Sequence, residues 1–199
     1  MSDQRLRLRL RRLLLGAAWL VMAGTGVRYL RQCRNFLADD TLFAPEIREA
    51  AHKYGLDSRL VRAVIYQESR FRPGTVGRAG EIGLMQIMPD QAVRDWARAN
   101  HVPEPDRAVL FSPRLNLEIG CWFLSDGMRR FREYREATEL ALARYNAGLS
   151  RAMAWRPATK DGAVIPRITI VGTRRYVEDI MTRYRKYCAE TSAARNHEQ

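Results

Sequence analysis

Apolar residues recur at three- and four-residue steps along most of this 199-residue chain, the period of helices that bury one face. The first such segment starts at Pro45, a good first-turn residue, with Glu46 and Glu49 suited to the positive end of a helix. It runs through Ile47, Ala50, Ala51 and Tyr54 and stops at Gly55. Asp57 or Ser58 caps the next, in which Val61, Val64 and Ile65 mark one face. Residues 73–82, rich in glycine, read as a loop. Ala92, Val93, Trp96 and Ala97 predict a helix beginning near Pro89, and Pro103 and Pro105 break the chain after it. Leu117, Cys121, Leu124 and Met128 set the period of a long helix. Residues 140–147 form another, and Met153 and Trp155 belong to a short one. Tyr176, Val177, Ile180, Met181 and Tyr184 mark the last. Residues 164–171 are the best strand-like run, and Pro166 demotes it. The pattern predicts a mainly α domain.

One position breaks the pattern in a way that carries chemistry. Glu68 falls four residues after Val64, on the apolar face of its helix. A carboxylate there costs several kcal/mol unless it is paired or protonated, and a protonated glutamate in an apolar cleft is suited to act as a general acid. A glutamate near a helix end is ordinarily solvated, so this helix alone leaves both readings open. The block Gly83-Leu84-Met85-Gln86-Ile87-Met88-Pro89 follows, an apolar stretch holding one amide.

Glu68-Ser69, the 83–89 block, Tyr145-Asn146-Ala147-Gly148 and Tyr176-Val177, in this order, resemble the lytic transglycosylases of the soluble, goose-lysozyme-like type. The resemblance covers about residues 45–187. It implies a lysozyme-like helical domain whose cleft lies between a helical body and the loops after Glu68 and Gly148. It also implies cleavage of peptidoglycan glycan strands with one catalytic glutamate, Glu68, ending in 1,6-anhydromuramoyl products. By the same resemblance Gln86 and Met88 shape the cleft, Tyr145 and Asn146 position the sugar and the glutamate, and Tyr176 approaches the carboxyl from the last helix. Ser69 joins the substrate-binding set, although on its own it reads as a local hydrogen-bonder at a helix end. Met85, Met88, Tyr145 and Tyr176 are equally ordinary as core residues, and Gln86 and Asn146 as buried structural amides. Two positions depart from the family: Gly77 stands where a serine near the acetamido group is common, and Glu81 where alanine is common. Glu81 and Asp90 read as solvated loop or helix-start residues, which leaves no convincing second carboxylate. A water-using muramidase of similar fold and a non-catalytic wall-binding or scaffold protein are the rival readings.

Charge alters the picture at one end of the chain. Residues 1–34 hold eight arginines against one acid, Asp3, and so carry +7 of the formal +12. Arg5 to Arg12 precede a fifteen-residue uncharged run, 13–27, the layout of a secretory signal or an uncleaved signal anchor. We therefore expect an anchor or signal in 1–34, a linker in 35–44, the catalytic domain in 45–188 and a polar tail in 189–199. The expected location is the periplasm, held at the inner membrane, with a cleaved soluble form as second choice. Partners in the cell envelope machinery are compatible with this. Nucleic acid is not expected, since no zinc spacing, phosphate loop or aromatic-plus-basic stripe accompanies the charge. Other chemistries fare badly too. Ser69 lies in no Gly-x-Ser-x-Gly elbow, and His52, His101 and His197 are scattered, so no metal or cofactor is implied. Cys121 and Cys188 either pair in an oxidising compartment, leaving Cys33 odd, or are inert thiols.

Overall fold

The computed structural model describes residues 39–197, with side chains through residue 193. The predicted anchor, residues 1–34, lies outside the described residues. Among those described, no helix is long and apolar enough to cross a membrane.

The helices form where the pattern placed them. α1 (Ala44–Lys53) opens on Pro45 and ends at Tyr54, before Gly55 with φ 64°. α2 (Ser58–Ser69) is capped by Asp57, whose carboxylate accepts the Arg59 N–H at 2.8 Å. That same carboxylate accepts the Tyr184 hydroxyl at 2.9 Å, tying the start of α2 to the final helix. A single π-helical turn (Pro89–Val93) leads into α3 (Arg94–Asn100). α4 (Pro113–Arg130), α5 (Ala137–Ala147) and α6 (Leu149–Ala154) follow, and α7 (Val171–His197) closes the chain.

α5 is the centre of the molecule. Leu140, Ala141, Leu142 and Ala143 are each at most 1% exposed, so apolar residues surround the helix axis and every side is covered. α4, α6 and α7 pack around it, and α2 lies along α7. Leu60, Val61, Ala63, Val64 and Ile65 bury one side of α2, with Val177 and Ile180 of α7 in the same core.

Two features differ from the expectation. A 3-10 turn at Arg107–Phe111 was not foreseen between the proline break and α4. The strand-like run 164–171, demoted by Pro166, holds a 3-10 turn (Ile165–Arg167), irregular residues 168–170 and the first residue of α7. Among the described residues no strand lies beside it to pair with. Val164 and Ile168, four residues apart, are both buried, and the Val164 N–H goes to the Glu136 carboxylate at 2.7 Å. α7 also continues unbroken past residue 188 to His197, through the segment expected as a tail. Cys121 and Cys188 are free thiols rather than a disulfide; Cys121 is fully buried, as an inert thiol would be, and Cys188 is half-buried.

Candidate active site

The last turn of α2 presents Glu68 to a cavity of about 480 Å³. The chain reverses directly after it through two residues in the left-handed region, Arg70 (φ 55°) and Phe71 (φ 59°), with Phe71 buried. Tyr176, itself buried on α7, donates its hydroxyl to Glu68 Oε1 at 2.5 Å. Oε2 has no hydrogen-bond partner among the described residues. Burial pushes the Glu68 carboxyl up, the Tyr176 hydrogen bond opposes the rise, and the negative charge of Glu81 adds to it, leaving a pKa of about 7. Such a group is available near neutrality both as a proton donor and, once ionised, as an acceptor.

The floor comes from the end of α5. Tyr145 donates its hydroxyl to the Met85 carbonyl at 2.8 Å and sets its ring edge-on to Phe123, 5.5 Å between centroids. Asn146 accepts the Thr173 hydroxyl at 2.8 Å through Oδ1. It is exposed and stands where the cavity meets a second groove, lined by Gln67, Arg70, Thr173 and Tyr176. Arg144, to which the sequence reading gave no role, is buried beside them. Its guanidinium pairs with Asp126 at 2.9 Å, donates to the Phe123 carbonyl at 2.8 Å and lies 4.1 Å over the Phe123 ring.

The opposite wall, residues 75–89, has little regular structure. Its backbone is pinned by side chains. Asn116 of α4, fully buried, receives the Met85 N–H at 2.8 Å and donates to the carbonyls of Ile82 (2.8 Å) and Leu110 (2.9 Å). Gly83, at φ 83°, leaves room for that amide, since a Cβ there would collide with it. The Ser69 hydroxyl donates to the Leu84 carbonyl at 2.8 Å and joins α2 to the same segment. Gln86 donates its amide N–H groups to Thr75 (3.1 Å) and Gly83 (2.9 Å) carbonyls and lines the cavity, as does Met88.

Most of the anticipated residues therefore meet at one place. Glu68, Gln86, Met88, Tyr145 and Asn146 line the cavity, and Tyr176 reaches it through the Glu68 carboxyl. Ser69 does not line it: the residue is 1% exposed and its hydroxyl is used on the wall segment, so it supports the site from behind. Glu81 also departs from its reading as a solvated residue, for it is half-buried and lines the cavity with Glu68. Asp90 is exposed, as expected. Asn116 was missed, although a polar amide one turn before Ile119 and Gly120, on a face that continues to Phe123, was visible as a polar residue in core register.

A helical body carrying one half-buried acid over a cleft is the architecture of a lysozyme-like fold. The chain belongs to the transglycosylase SLT domain family, whose model matches residues 45–167. It is 38% identical over 84 residues to membrane-bound lytic murein transglycosylase C of Actinobacillus pleuropneumoniae, covering 42% of this chain and 23% of that protein. An inactive mutant of the lytic transglycosylase Slt of Pseudomonas aeruginosa superposes with a TM-score of 0.68 at 29% identity, over 77% of this chain and 25% of that one. The 70-kDa soluble lytic transglycosylase of Escherichia coli gives 0.65 at 25% identity, over 74% and 25%. This chain thus spans about a quarter of the length of these relatives.

Proposed function

We propose that this chain is a peptidoglycan lytic transglycosylase with residues 45–188 as its catalytic domain and Glu68 as its single acid and base. The observation that carries this is the Glu68 carboxyl, raised to a pKa of about 7 in the cavity wall and held through one oxygen by Tyr176. Glu68 gives its proton to the glycosidic oxygen, the C1–O bond of the N-acetylmuramoyl residue breaks, and that residue's acetamido oxygen closes on C1. The ionised Glu68 then takes the proton of the C6 hydroxyl as O6 displaces the acetamido oxygen, giving a 1,6-anhydro end without water. Gln86, Met88, Tyr145 and Asn146 contact the glycan, Tyr176 positions the acid, and Ser69 acts by holding the wall. A second groove, lined by Gln67, Arg70, Thr173 and Tyr176, adjoins the cavity at Asn146. Residues 1–34 hold the enzyme at the periplasmic face of the inner membrane, in keeping with the name of the membrane-bound relative.

Mass spectrometry of fragments released from purified peptidoglycan by the full chain tests this. Anhydromuramoyl ends that vanish with Glu68→Gln are expected. Reducing ends would make the protein a muramidase, and no release would make it a wall-binding protein.

A further inference from the structure

The loop wall holds a second carboxylate in surroundings built to receive a hydrogen-bond donor. Ile82 pairs with Val76 and with Ile87 in antiparallel bridges, and Ile82 and Ile87 are sunk in the core. Their neighbours Glu81 and Gln86 line the cavity that Glu68 lines, Gln86 from a turn in which its own φ is 47°. The two carbonyls that take the Gln86 N–H groups fix its amide, so Oε1 faces Gly77. Glu81 Oε2 accepts the Ala79 N–H at 3.0 Å and also lies over Gly77. A Cβ on Gly77 would collide with Glu81 Oε2 and come within 2.8 Å of Gln86 Oε1. Glycine at 77 is therefore what gives the carboxylate its place. Two acceptor oxygens converge there, and among the described residues no ion pair reaches Glu81 and no donor reaches Gln86 Oε1. Paired acceptors opening on a cavity call for a donor from the ligand.

A glycan strand offers hydroxyls, which donate and accept alike, and acetamido N–H groups, which only donate. The N–H is also where positive charge develops when the acetamido oxygen attacks C1, because the nitrogen lone pair is drawn into the new C=N bond. An anionic acceptor there binds the transition state more strongly than the ground state. We propose that Glu81 is a second catalytic carboxylate, which accepts the N–H of the muramoyl acetamido group while its carbonyl oxygen attacks C1. This rests on the transglycosylase reading above. The proton stays on nitrogen throughout. Glu68 protonates the departing O4, the acetamido oxygen bonds to C1, and the cation so formed is paired with Glu81. When O6 attacks C1, the C1–O bond to the acetamido group breaks and its electron pair restores the neutral amide. The O6 proton goes to Glu68. Glu81 neither gains nor loses a proton.

The test uses the full chain and a defined tetrasaccharide of alternating N-acetylglucosamine and N-acetylmuramic acid, with the same compound N-methylated on the reacting muramoyl acetamide. Glu81→Gln and Glu81→Ala, checked for unchanged melting, should lose about 10²-fold in kcat with KM little altered, the size expected for one preorganised electrostatic partner. Wild type should lose a similar factor on the N-methyl compound, whereas Glu81→Ala should lose nothing further, since the contact is already gone. Full kcat in both variants, a loss confined to KM, or multiplying losses on the N-methyl compound would overturn the proposal. Faster cutting of de-N-acetylated strands by wild type than by Glu81→Gln would overturn it as well, by showing that the carboxylate reads an ammonium group. Wild-type products alone judge the underlying reading: reducing ends or no cleavage would remove it, and this proposal with it, whatever the variants do.

Discussion

The two walls of the cleft are held by different forces. Glu68 and Tyr176 ride on α2 and α7, whose inner faces bury Val61, Val64, Ile65, Val177 and Ile180. The facing wall, 75–89, is set by Asn116, Gln86, Ser69 and Tyr145, each bonded to one or more of its backbone groups. Apolar burial is spread over many side chains, so trimming one shifts the geometry little. Polar pins are few, and losing one strands a buried partner. The acid is thus placed by a distributed force, and the facing surface of the cavity by a handful of discrete bonds.

The sharpest attack on this contrast is Asn116→Ala. It strands the Met85 N–H and the Ile82 and Leu110 carbonyls together. At about 1–3 kcal/mol for each stranded group the loss should reach about 3–5 kcal/mol in denaturant unfolding. A loss under about 1 kcal/mol would mean that packing holds this wall too.

On the helical wall the strain sits in the acid itself. The folded pKa of Glu68, about 7, lies above its ordinary value, so the ionised form penalises the folded state. That penalty is absent at pH low enough to protonate the group in both states, grows as pH rises towards 7 and is complete above it. Glu68→Gln should therefore stabilise the protein by about 2–3 kcal/mol at pH 8.5 and by almost nothing at pH 4. Melting curves at the two pH values check it, and an equal gain at both would remove burial of the charge as the cause.

Tyr176→Phe probes the contact between acid and scaffold and should have the smallest effect. The hydroxyl favours the anion, so its removal raises the Glu68 pKa further. The alkaline limb of kcat/KM should move to higher pH, with about a 10-fold loss of rate from poorer positioning. A limb moving to lower pH would reverse the assigned role.

The same contrast explains what was legible in the sequence. Val61, Val64, Ile65 and Glu68 sit on one helix face because the helical period put them there, and Tyr176, Val177 and Ile180 follow the same rule. The 75–89 wall has no period. Its form depends on Asn116 reaching from α4, 31 residues beyond Met85, and that reach cannot be read from local pattern. Glu81 was misjudged for the same reason: its direction is set by the bridges of Ile82 to Val76 and Ile87 and by the vacancy above Gly77. Residues 164–171 have strand-like composition, which Pro166 already demotes. β-branched residues favour strands only where a neighbouring strand exists, and here the local partner was the Glu136 carboxylate.

One feature of the floor bears on the proposed substrate. Tyr145 and Asn146 leave the last turn of α5 directly beyond the four residues enclosed on all sides, with Arg144 clamped to α4 between them. A platform built on the most enclosed rod of the molecule does not yield when something presses on it. On the proposed reading, a pyranose ring seated between that platform and Glu68 adapts to the protein rather than the protein to the ring, so any puckering towards the flattened, reactive form would fall on the substrate.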